Sequence, residues 1–396
     1  MGVVGEAENL ERRERMNIVT LLQPARIVFG NGCAIQSVEF LAQRGAKCVL
    51  LVTCKSVRPQ INLLIEALEK SGCEVIESGF IPAEPTLNFF ETALQVARRA
   101  KVDSVLAVGG GSVIDVAKLI AALTDSPQKI SDVFGINLLA SRKLTLVCLP
   151  TTAGTGAEVS PNAILLDEAS ELKKGVVSPH LVPDAAFIDP LLTVNVPPDV
   201  TAATGLDALT HCIEAYANKF AHPIVDNYAL QGIKLISQNL LAAVRDGKNL
   251  EARAALALGS LYGGLCLGPV NTAAVHALAY PLGGKFRIAH GVSNALLLPH
   301  VLRFNFSAAP ERHAKIAVAL GVAHNGSALA TAEHGVEFIS QLSRDCGVPQ
   351  KLSALNIPRA AIPEMAKSAL TVQRLLKNNL RPITEADAAQ IYTAAY

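Results

Sequence analysis

The sequence predicts an α/β domain built on a doubly wound parallel sheet, followed by an all-α domain that runs to the C-terminus. Three observations carry this expectation. The chain has 396 residues, longer than one ordinary core and suited to two domains. From about Ala46 to Asp189, short β-rich apolar runs alternate with helical periodicity, as in a sheet covered on both faces. Beyond the turn-forming cluster Val196-Pro197-Pro198-Asp199, long helical periodicity takes over and strand candidates nearly vanish.

Taken in chain order, residues 1–15 are polar and charged and read as a disordered extension or an upstream start. Residues 16–196 form the α/β domain and 197–396 the helical one. Predicted strands are Ile18–Leu22, Cys48–Thr53, Glu74–Ile76, Ser104–Val108, Thr145–Leu149 and Ala186–Ile188, with a further strand and turn from Pro24 to Gly30. Apolar residues three and four apart make Gln60–Ser71 and Asn88–Ala100 amphipathic helices. In the helical half, Asp199 or Thr201 is expected to cap the first helix. Breaks are expected at Gly268-Pro269, at Gly283-Gly284 and around Gly347-Val348-Pro349. No repeat at a fixed period and no low-complexity tract occurs.

Composition narrows the function. Half the residues are hydrophobic and 17% are charged, enough for well-buried cores and far from a disordered chain. A formal charge of +1, with basic residues scattered outside Arg12, Arg13 and Arg15, offers no face for nucleic acid. No apolar run approaches the ~20 residues of a membrane span, and the N-terminus lacks the order of a secretory signal. The 8 cysteines occur singly, mostly inside apolar runs, which reads as reduced thiols in a cytoplasmic protein. A small-molecule enzyme is the expectation.

The predicted strand ending at Val108 runs straight into Gly109-Gly110-Gly111-Ser112 and then a helical segment from Val113 to Leu123. Side-chain-free residues at a helix N-terminus let backbone N–H groups approach a phosphate, which the helix dipole favours. The same turn without a ligand is the plainer alternative, because the pattern is not the six-residue dinucleotide fingerprint. A second loop, Pro150-Thr151-Thr152-Ala153-Gly154-Thr155-Gly156-Ala157-Glu158, follows the strand Thr145–Leu149. It is expected at the same carboxyl edge of the sheet, where ligands of open α/β folds bind.

Asp207 and His211 are four apart in a helical stretch, so both side chains share a face and can reach one ion. Alone, such a pair is more often an ion pair. His276, expected in mid-helix, and His290, before a glycine, also sit among Ala, Leu, Val and Gly rather than in polar surface sequence. A buried imidazole needs a partner, so each is either a hydrogen-bonded core histidine or a ligand. One carboxylate with three imidazoles suits Fe(II) or Zn(II), and polarising an alcohol or carbonyl oxygen during hydride transfer is the chemistry such a set supports.

Together Gly109-Gly110-Gly111-Ser112-Val113-Ile114-Asp115, the loop Pro150 to Val159, Asp207-Ala208-Leu209-Thr210-His211 and His290-Gly291-Val292-Ser293-Asn294-Ala295 resemble the iron-dependent (group III) alcohol dehydrogenases. The resemblance spans Pro24 to Thr384. It implies an α/β nucleotide-binding domain joined to an all-α domain, the architecture shared with dehydroquinate synthase, with nicotinamide meeting metal in the cleft between them. It implies Asp207, His211, His276 and His290 as ligands of Fe(II), or of Zn(II). Gly110, Gly111 and Ser112 fall at the pyrophosphate of NAD or NADP, and Thr151, Thr152, Asn162 and Lys173 around that cofactor. Asp115 reads as helix-start structure, and a homodimer or higher homo-oligomer is implied.

Two positions depart from the pattern. Tyr280 stands where relatives often carry a second histidine near the nicotinamide; a phenol is a poor base at neutral pH, so Tyr280 is expected to shape the substrate end of the cleft. Cys54 stands near the strand end where many NAD-preferring relatives have Asp. An acid there would bond the ribose hydroxyls and repel a 2′-phosphate; with Cys54, and Lys55 or Arg58 nearby, NADP is expected to be tolerated. The activity implied is hydride transfer between NAD(P) and a small alcohol, aldehyde or ketone. The rivals are maleylacetate reductase-like or glycerol dehydrogenase-like enzymes, a dehydroquinate synthase-type lyase, and a cofactor-binding protein without catalysis.

Overall fold

The computed structural model describes residues 18–82, 84–169 and 172–396, so the extension expected over 1–15 lies outside the described residues. The first part of the chain supplies nine strands: β1 (Arg26–Phe29), β2 (Cys48–Thr53), β3 (Glu74–Phe80), β4 (Ser104–Gly109), β5 (Gly135–Ile136), β6 (Thr145–Pro150), β7 (Asn162–Asp167), β8 (Leu172–Val177) and β9 (Ala185–Ile188). Six of them form a parallel sheet in the order β1-β9-β6-β4-β2-β3. Helices α1 (Gln36–Gln43) and α2 (Asn62–Lys70) cover one face, and α3 (Leu87–Ala100) and α4 (Gly111–Leu123) the other.

Alternation across the pleat explains why these strands read as unbroken apolar runs. Val49 and Leu51 of β2, Leu106 and Val108 of β4, and Val147 and Leu149 of β6 pack on the α1–α2 side. Their neighbours Leu50, Val52, Val105, Ala107, Leu146 and Cys148 pack on the α3–α4 side. From β2 the chain first builds outward to β3 and then crosses back to β4, so the switch point lies between β2 and β4. Ligands of such sheets sit beyond the strand ends there, beside Cys54 and Gly109–Gly111.

Several expectations need correction. Ile18–Leu22 is not a strand; Ile18 is almost fully exposed, and the edge position is taken by β1. The hairpin β7–β8, joined by β5 into a small second sheet, was not expected. Its strand Asn162–Asp167 alternates buried and half-buried residues, a period-two pattern too short to stand out between two loops.

A short α5 (Ile130–Val133) lies between α4 and β5, and from Pro198 onward the elements are helical: α6 (Pro198–Tyr216), α7 (Pro223–Arg245), α8 (Leu250–Leu267), α9 (Ala274–Phe286), α10 (His290–Asn305), α11 (Pro310–Leu320), α12 (Ala328–Asp345), α13 (Ile362–Ala369), α14 (Gln373–Leu376) and α15 (Glu385–Ala394). They share one large core. Neither Asp199 nor Thr201 caps α6, whose cap position is Pro197 without a side-chain bond; the Thr201 hydroxyl instead accepts from Arg253 at 2.9 Å. The breaks at Gly268 and Gly347 occur, but α9 runs through Gly283-Gly284 and Pro281.

Candidate functional site

One cleft of about 1110 Å³ opens between the carboxyl edge of the large sheet and helices α6, α9 and α10. Every site residue named above lines it: Cys54, Gly110, Gly111, Ser112, Thr151, Thr152, Asn162 and Lys173 on the sheet side, and Asp207, His211, His276, Tyr280 and His290 on the helical side.

The helical wall is built from three helix faces. Asp207 and His211 are one turn apart on α6, both buried. His276 lies in the first turn of α9 rather than in mid-helix, and His290 is the first residue of α10. What lets α10 start so close is Gly291: a Cβ there would stand 2.1 Å from the Ala203 carbonyl of α6, so a residue with a side chain would push His290 away.

Around Asp207 Oδ1, Nε2 of His276 lies at 3.6 Å, of His290 at 3.7 Å and of His211 at 4.0 Å. The His211 and His276 rings stack with centroids 4.7 Å apart. Donors each ~2.1 Å from a tetrahedral ion would stand about 3.4 Å from one another, and the His276 and His290 nitrogens already lie within a few tenths of an ångström of that separation from Asp207 Oδ1. Asp207, His276 and His290 make the tightest subset, and the Asn294 amide nitrogen contacts all three, at 2.7, 3.1 and 3.2 Å.

The outer nitrogens are already committed. His211 Nδ1 faces the Gly154 carbonyl at 3.3 Å and His276 Nδ1 faces Glu214 Oε2 at 2.6 Å, which turns both Nε2 atoms toward Asp207. Burial lowers the pKa of His211, and lowers that of His290 to about 3 although its ring is partly open to the cleft, so both present a neutral lone pair. His276 goes the other way: burial opposes its charge, but Glu214 and Asp207 on either side raise it to about 9. Burial also works against the Asp207 anion, yet the surrounding histidines hold its carboxyl well below the usual range.

Glu214 is the residue the sequence analysis missed. It follows Asp207 by seven on α6 and so lies on the same face, a signal that was present in the spacing. One of its oxygens orients His276; the other accepts the Val275 N–H at 2.6 Å, serving the otherwise uncapped N-terminus of α9. Asp207 and Glu214 are two buried carboxylates with no Lys or Arg bonded to them among the described residues. A divalent cation brings that pair to zero net charge, which fits the donor set.

The sheet wall is made differently. A Cβ on Gly111 would lie 2.5 Å from Thr155 Cγ2, so the glycine turn and the threonine loop close on each other at the start of α4. Beyond them Asn162 lines the cleft, and its buried Oδ1 has no hydrogen-bond partner among the described residues. Lys173 Nζ pairs with Glu84 at 3.1 Å. Asp115 does structural work: its Oδ2 accepts the Ile164 N–H at 3.0 Å, and burial raises its pKa to about 6. Cys54 lies where β2 ends, its sulfur 3.4 Å from the Ser56 hydroxyl. Arg58 is held by Glu77 at 2.9 Å and by Asn62, which leaves Lys55 as the basic group on the cleft there.

A parallel sheet with a glycine-edged switch point, facing a buried Asp/His cluster across one cleft, defines a metal-dependent nicotinamide oxidoreductase. The chain belongs to the iron-containing alcohol dehydrogenase family. It matches the family's "Iron-containing alcohol dehydrogenase" model over residues 24–190 and its "Fe-containing alcohol dehydrogenase family, C-terminal" model over residues 201–396. It is 40% identical over 387 residues to long-chain-alcohol dehydrogenase 1 of Geobacillus thermodenitrificans, covering 94% of this chain and 97% of that one. It is 38% identical over 357 residues to 1,3-propanediol dehydrogenase of Klebsiella pneumoniae, covering 89% and 92%. The crystal structure of a 1,3-propanediol oxidoreductase superposes with a TM-score of 0.93 at 36% identity, over 96% of this chain and all of that one. The protein is therefore an oxidoreductase of alcohols and aldehydes that works with NAD(H) and a metal, not a lyase or a catalytically silent binder.

Proposed function

We propose that this protein interconverts small primary alcohols and aldehydes using NAD(H) and Fe(II), with Asp207, His211, His276 and His290 holding the ion. The observation that carries this is the convergence of four donors, two of them locked by outer bonds, on the wall opposite the glycine edge. Zn(II) suits the same donors and competes for them. Bound there, the ion supplies Lewis-acid polarisation of the substrate oxygen, while the nicotinamide carries the hydride.

The protein's own groups do the rest. Backbone N–H groups of Gly110, Gly111 and Ser112 at the start of α4 meet the pyrophosphate, and Thr151, Thr152, Asn162 and Lys173 position the nicotinamide half. Tyr280 accepts a hydrogen bond from Arg374, which leaves its own O–H to donate to a substrate or ribose oxygen. NADP is tolerated beside NAD because no carboxylate stands at Cys54. The functional halves divide at about residue 196. Among the described residues the outer edge of β1 pairs with no strand, and with Phe29 partly exposed there it favours assembly into a homodimer or larger homo-oligomer. Eight free thiols fit a reducing, cytoplasmic setting.

Relatives are named for alcohols as unlike as a long-chain alcohol and 1,3-propanediol, so the shared chemistry lies in the hydroxyl and not in the tail. Metal analysis after anaerobic loading with Fe(II) or Zn(II), followed by NADH and NADPH oxidation across a panel of small aldehydes, tests the reading. A tightly held ion and aldehyde-dependent NADH oxidation abolished by a chelator are expected. No metal and no turnover would overturn it.

A further inference from the structure

The tail of the substrate has a chemistry of its own in this cleft. Arg374, in the short helix α14, brings a half-buried guanidinium to the helical wall, where it donates to the Tyr280 hydroxyl and lies 5.7 Å from the centre of that ring. The wall formed by Lys173, Tyr280 and Arg374 separates the main cleft from an adjoining pocket of about 390 Å³. Three cations surround that pocket. Lys173 is neutralised by Glu84 and Lys285 by Glu364. Among the described residues Arg374 has no carboxylate within ion-pair distance, and the Tyr280 hydroxyl is its only side-chain hydrogen-bond partner.

Space is left for it. A Cβ on Gly175 of β8 would stand 3.5 Å from Arg374 Nη2, and one on Gly283 of α9 would stand 3.2 Å from Lys173 Cε. A partly desolvated, uncompensated guanidinium is costly, and its planar fork matches a carboxylate with two parallel N–H bonds. The cofactor's phosphates belong to the sheet wall, whereas Arg374 comes from the helical domain beside Tyr280. Tyr280 lies one turn past His276, a separation of about 6 Å along α9, or roughly the span of a four-carbon chain.

We propose that Arg374, steadied by Tyr280, is a specificity-determining residue that receives the carboxylate end of a short ω-oxo or ω-hydroxy acid whose other end reacts. This rests on the assignment of the metal to Asp207, His211, His276 and His290. In the reducing direction NADH gives its hydride to the carbonyl carbon and water supplies the proton, yielding the hydroxy acid and NAD; the carboxylate keeps its charge throughout.

The test uses the iron-loaded enzyme with NADH and three substrates of similar length: 4-oxobutanoate, its neutral methyl ester and butanal. Wild type is expected to favour 4-oxobutanoate in kcat/KM. Arg374→Met should cut the ratio of acid to ester at least tenfold, mainly through KM, with part of the ratio recovered in Arg374→Lys. Tyr280→Phe should lower it by a smaller factor. A wild type that prefers the ester, or a ratio that stays within about twofold in Arg374→Met while butanal is still reduced, overturns the role of Arg374 and leaves the metal assignment standing. If the loaded enzyme reduces none of the three, the metal reading falls and this inference with it.

Discussion

The helical wall of the cleft buries two carboxylates and two imidazoles and leaves the third, His290, partly open to the cleft, whereas the sheet wall presents backbone amides, glycines and hydroxyls. On the helical side each group is fixed by another: Glu214 by the Val275 N–H, His276 by Glu214, His211 by the Gly154 carbonyl. On the sheet side the fit comes from close approach of loops, and the buried Asn162 Oδ1 has no partner among the described residues. Charge buried in a low-dielectric wall acts as a unit, so losing one member should be felt through all of them. Contacts built from many backbone groups should fail gradually.

The largest expected effect tests the first half of that contrast. Asp207→Ala removes the centre of the cluster, and with it the group that all three imidazoles face. Metal content should fall to background, and kcat/KM for aldehyde reduction should fall by at least roughly three orders of magnitude, about 4 kcal/mol of lost stabilisation. Retained metal with only a modest kinetic change would mean the imidazoles alone suffice, and the contrast between the walls would collapse.

Glu158, like the half-buried Asp115, is a carboxyl on the sheet side, here buried at the end of the threonine loop. Burial raises its pKa from the ordinary 4.5 to about 7, against the opposing pull of Lys118. Because the folded value lies above the unfolded one, the stability linked to its proton is present below pH 4.5. It is lost as pH rises through 7, and at about 1.36 kcal/mol per pH unit the change is roughly 3 kcal/mol. The melting temperature of Glu158→Gln relative to wild type should therefore climb from pH 4.5 to 8. Parallel melting curves for the two proteins would show that water or a partner group already relieves this carboxylate.

Glu214→Gln probes the outer layer of the helical wall while keeping its shape. Weaker orientation of His276 and loss of charge at the α9 N-terminus should reduce metal affinity by about 10- to 100-fold, measured by competition with a chelator. Unchanged affinity would reduce Glu214 to a helix cap.

How far the sequence revealed these walls follows from the same contrast. The parallel strands were legible because both faces are covered, leaving uninterrupted apolar runs such as Cys48–Thr53. Asp207 and His211 stood out through helical spacing, and Glu214 obeys the same spacing but resembles any mid-helix acid until its partners are seen. Arg374 lies 94 positions from Tyr280, so only the folded chain brings them together. The error at Ile18–Leu22 has the opposite cause, since an apolar run counted as strand without a neighbour to pair with.

The smallest effect belongs to the sheet wall. Cys54 lies at the end of β2, beside the switch point, and Lys55 is the exposed basic group that lines the cleft there while Arg58 is held by Glu77. Cys54→Asp introduces a carboxylate that accepts from ribose hydroxyls and repels a 2′-phosphate. The ratio of kcat/KM with NADH to that with NADPH should rise about tenfold, close to 1.4 kcal/mol, with the change in the KM for cofactor. Metal content should stay as in wild type, because among the described residues Cys54 shares no bonded partner with the Asp207 cluster, whose link to this wall runs from His211 to the Gly154 carbonyl. A change in metal binding would instead tie Cys54 into the network of the helical wall.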